Sequence, residues 1–171
     1  MAEPRPPHLS HLDATGRAHM VDVGDREVTL REATAVGRVR ISPEAAAAVA
    51  AGEVAKGDVL AVCRLAGVMA AKRTPELIPL CHPIALRHVE VEADLDQDRT
   101  AIQLRARVRC RDATGVEMEA LTAVAVAGLT VIDMLKSVDP WAVIEGVGLV
   151  SKSGGRSGSV ARPAEGAPHA G

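Results

Sequence analysis

The sequence predicts an α+β domain, an antiparallel sheet with helices packed on one of its faces. Three observations carry this. First, residues 84–96 and 100–112 alternate apolar and charged side chains (HVEVEADLD, then AIQLRARVRC), the period of strands buried on one side only. Second, the short Gln97-Asp98-Arg99 link joins those strands as a hairpin. Third, residues 58–72 and 116–138 are long stretches rich in Ala, Val, Leu and Met, the composition of core-facing helices.

Taken in order, residues 27–41 read as a first strand, with Val, Leu and Ala interleaved with Thr and Arg. Ser42-Pro43-Glu44 starts a helix, Ser42 as N-cap and Pro43 in its first turn, and Gly52 stops it. The second helix occupies 58–72 and is expected to end at Thr74-Pro75. After the hairpin, Gly115 precedes the long helix of 116–138, which Asp139-Pro140 breaks. Residues 141–150 form the last strand, and Trp141 is expected to anchor its packing. Strand, two helices, hairpin, long helix, strand is the split β-α-β order of a ferredoxin-like sandwich. Pro-rich residues 1–10 are expected to be a flexible segment, 11–158 a single catalytic domain, and 159–171 a disordered tail.

A chain of 171 residues, 47% hydrophobic and 25% charged, suits one core. With no Phe, no Tyr and one Trp, that core must be aliphatic. Aliphatic side chains bury less area each than aromatic ones, so partner subunits are expected to complete the burial. The net charge of −2 and the missing stacking aromatics argue against a nucleic-acid binder. No run of about 18 uninterrupted apolar residues suggests a membrane helix, and no apolar segment near the start suggests a secretory signal. Cys63, Cys81 and Cys110 are an odd number with no C-x-x-C pair, which fits a reducing cytoplasm.

Three segments could carry chemistry. In LIPLCHPIAL, Pro79 and Pro83 fix a non-helical loop around Cys81 and His82. A histidine held there can donate to phosphate or exchange a proton near neutrality, although a structural loop with an inert cysteine fits the composition at least as well. In the long helix, Glu117 and Glu119 sit where carboxylates favour the positive end of the helix dipole, and Asp133 and Lys136 lie three apart, as a surface ion pair would. Yet Glu119, Val126, Thr130 and Asp133 share one narrow sector of that helix, a mostly small and uncharged row with acids at its ends. Glu119 and Asp133 are about 21 Å apart along an ideal helix. If both are catalytic, the site is shared between subunits or the substrate is long. The third segment is KSGG, where Lys152 precedes Gly154 and Gly155; Lys and glycine backbone together can hold phosphate, although alone the segment also reads as a flexible tail. No G-x-x-x-x-G-K-[ST] loop or metal-ligand spacing is present, so no metal site is expected.

In sequence order, LSHLDATGRAHMVDV, VTLREATAVG, KGDVLAVCRLAGVMAAKRTPELIPLCHPI, GVEMEALTAVAVAGLTVIDMLK and KSGGRSG resemble the successive motifs of cyclic pyranopterin monophosphate synthases. That family acts in molybdenum cofactor biosynthesis. The resemblance runs from about Leu9 to Gly158 and implies a lyase reaction. In it, 3',8-cyclo-7,8-dihydroguanosine 5'-triphosphate becomes cyclic pyranopterin monophosphate and pyrophosphate leaves. It also implies a ferredoxin-like fold and a cytoplasmic homohexamer, a trimer of dimers, with sites at subunit interfaces. By the same resemblance Asp133, Lys56 and Lys136 are catalytic. Leu80, Cys81, His82, Glu117, Met118 and Glu119 meet the substrate, and Arg31, Lys72 and Lys152 are expected at its phosphates. No cofactor is required, and Mg²⁺ could accompany the triphosphate. The chain departs from the family at Ile132, where a Tyr is usual, and at Arg26 and Arg156, where Lys is usual. A non-catalytic ligand-binding module is the rival class, and turnover separates the two.

Overall fold

The computed structural model describes residues 16–156 and 158–163. The first element is strand β1 (Thr29–Arg40), followed by helices α1 (Pro43–Ala51) and α2 (Val59–Ala71) and the one-turn α3 (Thr74–Leu77). Strands β2 (Leu86–Leu95) and β3 (Ala101–Asp112), helix α4 (Glu117–Leu135), and strands β4 (Val143–Ser153) and β5 (Val160–Ala161) complete it. The sheet order is β2-β3-β1-β4-β5, and every neighbouring pair is antiparallel. Its first four strands have the ferredoxin-like order that the sequence predicts.

Local chemistry explains the elements. The Ser42 hydroxyl accepts from the Ala45 amide at 3.2 Å, Pro43 occupies the first turn, and Gly52 closes α1 in the left-handed region. Asp58 caps α2 by accepting from the Ala61 amide at 3.0 Å. Along β3, Ile102, Leu104, Ala106, Val108 and Cys110 are buried, whereas Gln103, Arg105 and Arg107 point to the opposite face. The buried row packs with Ala33, Ala35 and Val39 of β1 against α4, which also lies along α2. The helices therefore cover one face. The other carries ion pairs such as Arg107 to Glu32 at 2.9 Å and Arg40 to Glu145 at 2.8 Å. α4 has the length and apolarity of a membrane span, but more than half of it is buried inside this fold.

Four expectations need adjustment. Thr74-Pro75 does not simply end α2: it opens α3, because a proline in a first turn forfeits no intrahelical bond. Trp141 is no packing anchor, since 84% of it is exposed. The anchor is its neighbour Asp139, whose buried carboxylate accepts from the Trp141 amide at 3.1 Å and the Ser42 amide at 2.6 Å. Asp139 thereby fastens the α4–β4 turn to the start of α1. The last long strand also runs further than residue 150: Lys152 sits in β4 opposite Ala33. Finally, Val160 and Ala161 pair with β4 inside the stretch assigned to the tail. Residues 1–15, 157 and 164–171, which include the N-terminal segment and most of the tail, lie outside the described residues.

Candidate active site at the two ends of α4

The last turn of α4 presents Asp133 to solvent, with a 57% exposed side chain. Lys56, from the turn before α2, donates to the Asp133 carboxylate at 2.7 Å and to its backbone carbonyl at 2.6 Å. That carbonyl is one of the four at a helix end that lack an intrahelical partner. Lys136, one turn on from Asp133, approaches the other carboxylate oxygen at 2.8 Å. Hydrogen bonds from Lys136 and Lys56 push the Asp133 carboxyl down to about 2. Exposed pairs of this kind add little stability. What they do provide is one anionic carboxylate held between two ammonium groups. The three residues expected to be catalytic are thus together.

The first turn of α4 is different in character. It borders a cavity of about 470 Å³ whose walls include Ile78, Leu80, Cys81, His82, Met118 and Glu119. His82 Nε2 lies 2.8 Å from the Val21 carbonyl, so the segment before β1 and the proline-flanked loop hold each other. Glu119 is only 2% exposed. Burial raises its carboxyl from an ordinary 4.5 to about 7, and the neighbouring Glu117 adds to the shift. Near neutral pH this carboxyl is substantially protonated and can donate as well as accept a hydrogen bond. Burial and the same Glu119 raise the Cys81 thiol, and burial raises Cys110 to about 11, so neither is a ready nucleophile.

A second, smaller cavity of about 210 Å³ adjoins the first, and Arg26, Thr114, Gly115 and Glu117 line both. Its cations are Arg26, Arg31 and Lys152. Arg31 is fixed by donating to the carbonyls of Asp112 at 3.2 Å and Ala113 at 3.0 Å. Lys152 meets Glu117 at 3.0 Å. The KSGG glycines have a packing reason: a Cβ on Gly155 would overlap the Arg31 guanidinium, and one on Gly154 would overlap the Leu30 carbonyl. That segment is thus built over Arg31 rather than left as a free tail.

The residues expected at the substrate therefore fall into two groups, with one exception. Lys72 caps the C-terminus of α2 in an exposed position and lines neither cavity. Sequence reasoning noted Arg26 only as a substitution and missed its place on the shared wall. The signal was available in its position just after MVDV. Asp22 caps the turn before β1 by accepting from the Gly24 amide at 2.9 Å. Among the described residues, no three His, Cys, Asp or Glu side chains converge as a metal site would need.

The model of the MoaC family matches residues 20–155. The chain belongs to the MoaC family. Three relatives, each named cyclic pyranopterin monophosphate synthase, show the closeness of the match. The protein of Chloroflexus aurantiacus is 56% identical over 155 residues, 91% of this chain and 95% of the relative. That of Roseiflexus sp. is 59% identical over 150 residues, 88% and 95% of the two chains. That of Thermomicrobium roseum is 55% identical over 162 residues, 95% and 98%. Every site residue from Arg31 to Lys152 lies inside the MoaC-family match.

Proposed function

We propose that this MoaC-family chain is a cyclic pyranopterin monophosphate synthase. It converts 3',8-cyclo-7,8-dihydroguanosine 5'-triphosphate to the cyclic monophosphate and releases pyrophosphate. The observation that carries this reading is the pairing of two unlike half-sites on one helix. One is an ionised Asp133 clamped by Lys56 and Lys136. The other is a cavity with a protonatable Glu119 that opens onto a cationic cradle.

The reaction needs a held triphosphate, proton movement on a reduced purine, and a stabilised leaving group. Arg26, Arg31 and Lys152 suit the phosphates, where their charge offsets what develops on departing pyrophosphate. Glu119 and Glu117 face the ring's hydrogen-bond donors and acceptors, between the aliphatic walls Ile78, Leu80 and Met118. Lys56 or Lys136 delivers or removes the proton, and Asp133 stays paired with the other lysine while it does so. An internal oxygen then displaces pyrophosphate at the α-phosphorus, which closes the cyclic phosphate. Proton transfer of this kind needs no cofactor, and Mg²⁺ would enter with the triphosphate.

The half-sites are about 21 Å apart along α4, too far for one small substrate. A second copy across a two-fold axis joins them. Val126 lies midway between Glu119 and Asp133, so two antiparallel α4 helices crossing there bring Asp133 of one chain to Glu119 of the other. The surface suits such a contact: Leu129 on α4 and Val62, Leu65 and Met69 on α2 are exposed on the helices. Val62, Leu65 and Met69 follow helical spacing and form one stripe. Three such pairs make the hexamer that the family resemblance implies, and the free thiols of Cys63, Cys81 and Cys110 suit the cytoplasm.

The test mixes purified protein with the cyclised GTP intermediate and follows pyrophosphate. Turnover is expected in the wild type and severely reduced in Asp133→Asn and Lys56→Ala, with assembly retained in both. Tight binding without release in the wild type would contradict the reading.

A further inference from the structure

Glu117 is an odd residue to find in a phosphate cradle. Its carboxylate faces Lys152 at 3.0 Å among Arg26 and Arg31, whereas Glu32, the other acid on that wall, is paired with Arg107 at 2.9 Å. The Glu117 side chain also forms part of the wall of the larger cavity. It reaches back over Gly115, and a Cβ there would overlap its carboxylate. Gly115 has no left-handed φ, and its bare backbone leaves room for the Glu117 carboxylate in this position. The pair is also only partly shielded, with side chains 38% and 31% exposed, and such pairs exchange partners at small cost.

We propose that Glu117 is a displaceable gate: its carboxylate occupies the cradle in the free protein, and an incoming phosphate group takes its place on Lys152. The larger cavity, where the ring of the substrate would sit, adjoins the displaced carboxylate, because Glu117 lines both cavities. Occupation of the phosphate end thereby sets the hydrogen-bonding surface at the ring end. Release of pyrophosphate lets Glu117 return to Lys152 and compete against rebinding of that product. The gate rests on the functional reading above, because that reading supplies the phosphate ligand.

A gate makes a specific prediction about affinity. While Glu117 holds Lys152, only the open fraction of molecules binds, so apparent affinity falls by that fraction. Calorimetric titration of inorganic pyrophosphate into the assembled protein measures it. Glu117→Gln should bind pyrophosphate about fivefold or more tightly than the wild type, since the competitor is neutral. Glu117→Asp separates gating from simple repulsion. It keeps the charge but shortens the side chain by one methylene, which lengthens and weakens the contact with Lys152, so it too should bind more tightly. Lys152→Ala should lose about tenfold in affinity. Damage to the fold would weaken binding in the two Glu117 variants, which is the opposite direction from the one the gate predicts. Glu117→Gln binding no tighter than wild type overturns the gate. Glu117→Asp matching wild type also overturns it, by reducing the effect to charge. Wild-type turnover of the cyclised intermediate, measured on the same preparation, keeps the functional reading separate: the gate can fail while turnover stands.

Discussion

The two ends of α4 carry the same functional group in opposite states. At the C-terminal end, Asp133 is open to solvent and two lysines press its carboxyl down to about 2. At the N-terminal end, Glu119 is enclosed by apolar walls and rises to about 7. Proximity of cations dominates one shift, and loss of water dominates the other. One helix thus holds a carboxylate that stays charged and a carboxyl that keeps its proton well above the ordinary carboxyl range. The two groups also lie far apart in space, which is why the account needs two copies of the chain.

The contrast can be broken most severely at the charged end. Asp133→Asn keeps the shape but leaves Lys56 and Lys136 without the anion between them. Turnover should fall by about 10³-fold, within the usual range for acid–base groups, in a pyrophosphate-release assay. Size-exclusion profile and thermal midpoint at pH 7 should change little, because exposed pairs contribute little stability.

The buried end should respond in stability as well as rate. Glu119 holds its proton in the native state between its ordinary 4.5 and about 7, where the unfolded chain has released it. The native state therefore binds more protons in that window, and stability declines as pH rises through it. Glu119→Gln removes the titration. At pH 8 it should be more stable than the wild type by on the order of 2 kcal/mol, a figure set below the full shift to allow for relaxation. The two proteins should converge below pH 4.5. Denaturant melts across pH measure this, and a wild-type curve without that slope would remove the protonated carboxyl from the account. Smallest of all is Trp141→Ala, which should change stability by less than about 0.5 kcal/mol because the ring is in solvent.

Trp141 also shows where sequence reading stops. Capping chemistry is local, so Ser42, Pro43, Gly52 and Asp58 announce the bounds of α1 and α2 directly. The alternation in β2 and β3 shows the buried face for the same reason. Which residue grips the α4–β4 turn is not local. The lone aromatic is the natural candidate, yet Asp139 does it through an amide nearly a hundred positions away at Ser42. The extent of β4 depends likewise on its register with β1, which draws Lys152 into the sheet. At the site, the family resemblance pointed to Asp133, Lys56 and Lys136, which the fold brings together, and to Glu117 and Glu119, which line one cavity. It did not show that Arg26 joins two cavities, because that depends on how the segment before β1 folds over the His82 loop.

The most direct test of the central claim, that one site takes its halves from two chains, mixes two inactive variants. Asp133→Asn lacks the charged half, and His82→Ala lacks part of the cavity half. If subunits are exchanged and the halves come from different chains, each mixed pair regains one intact site of two. Random mixing should then restore about a quarter of wild-type pyrophosphate release. Activity that stays at the level of the separate variants, with exchange confirmed, would mean that each site lies within one chain and would contradict the account.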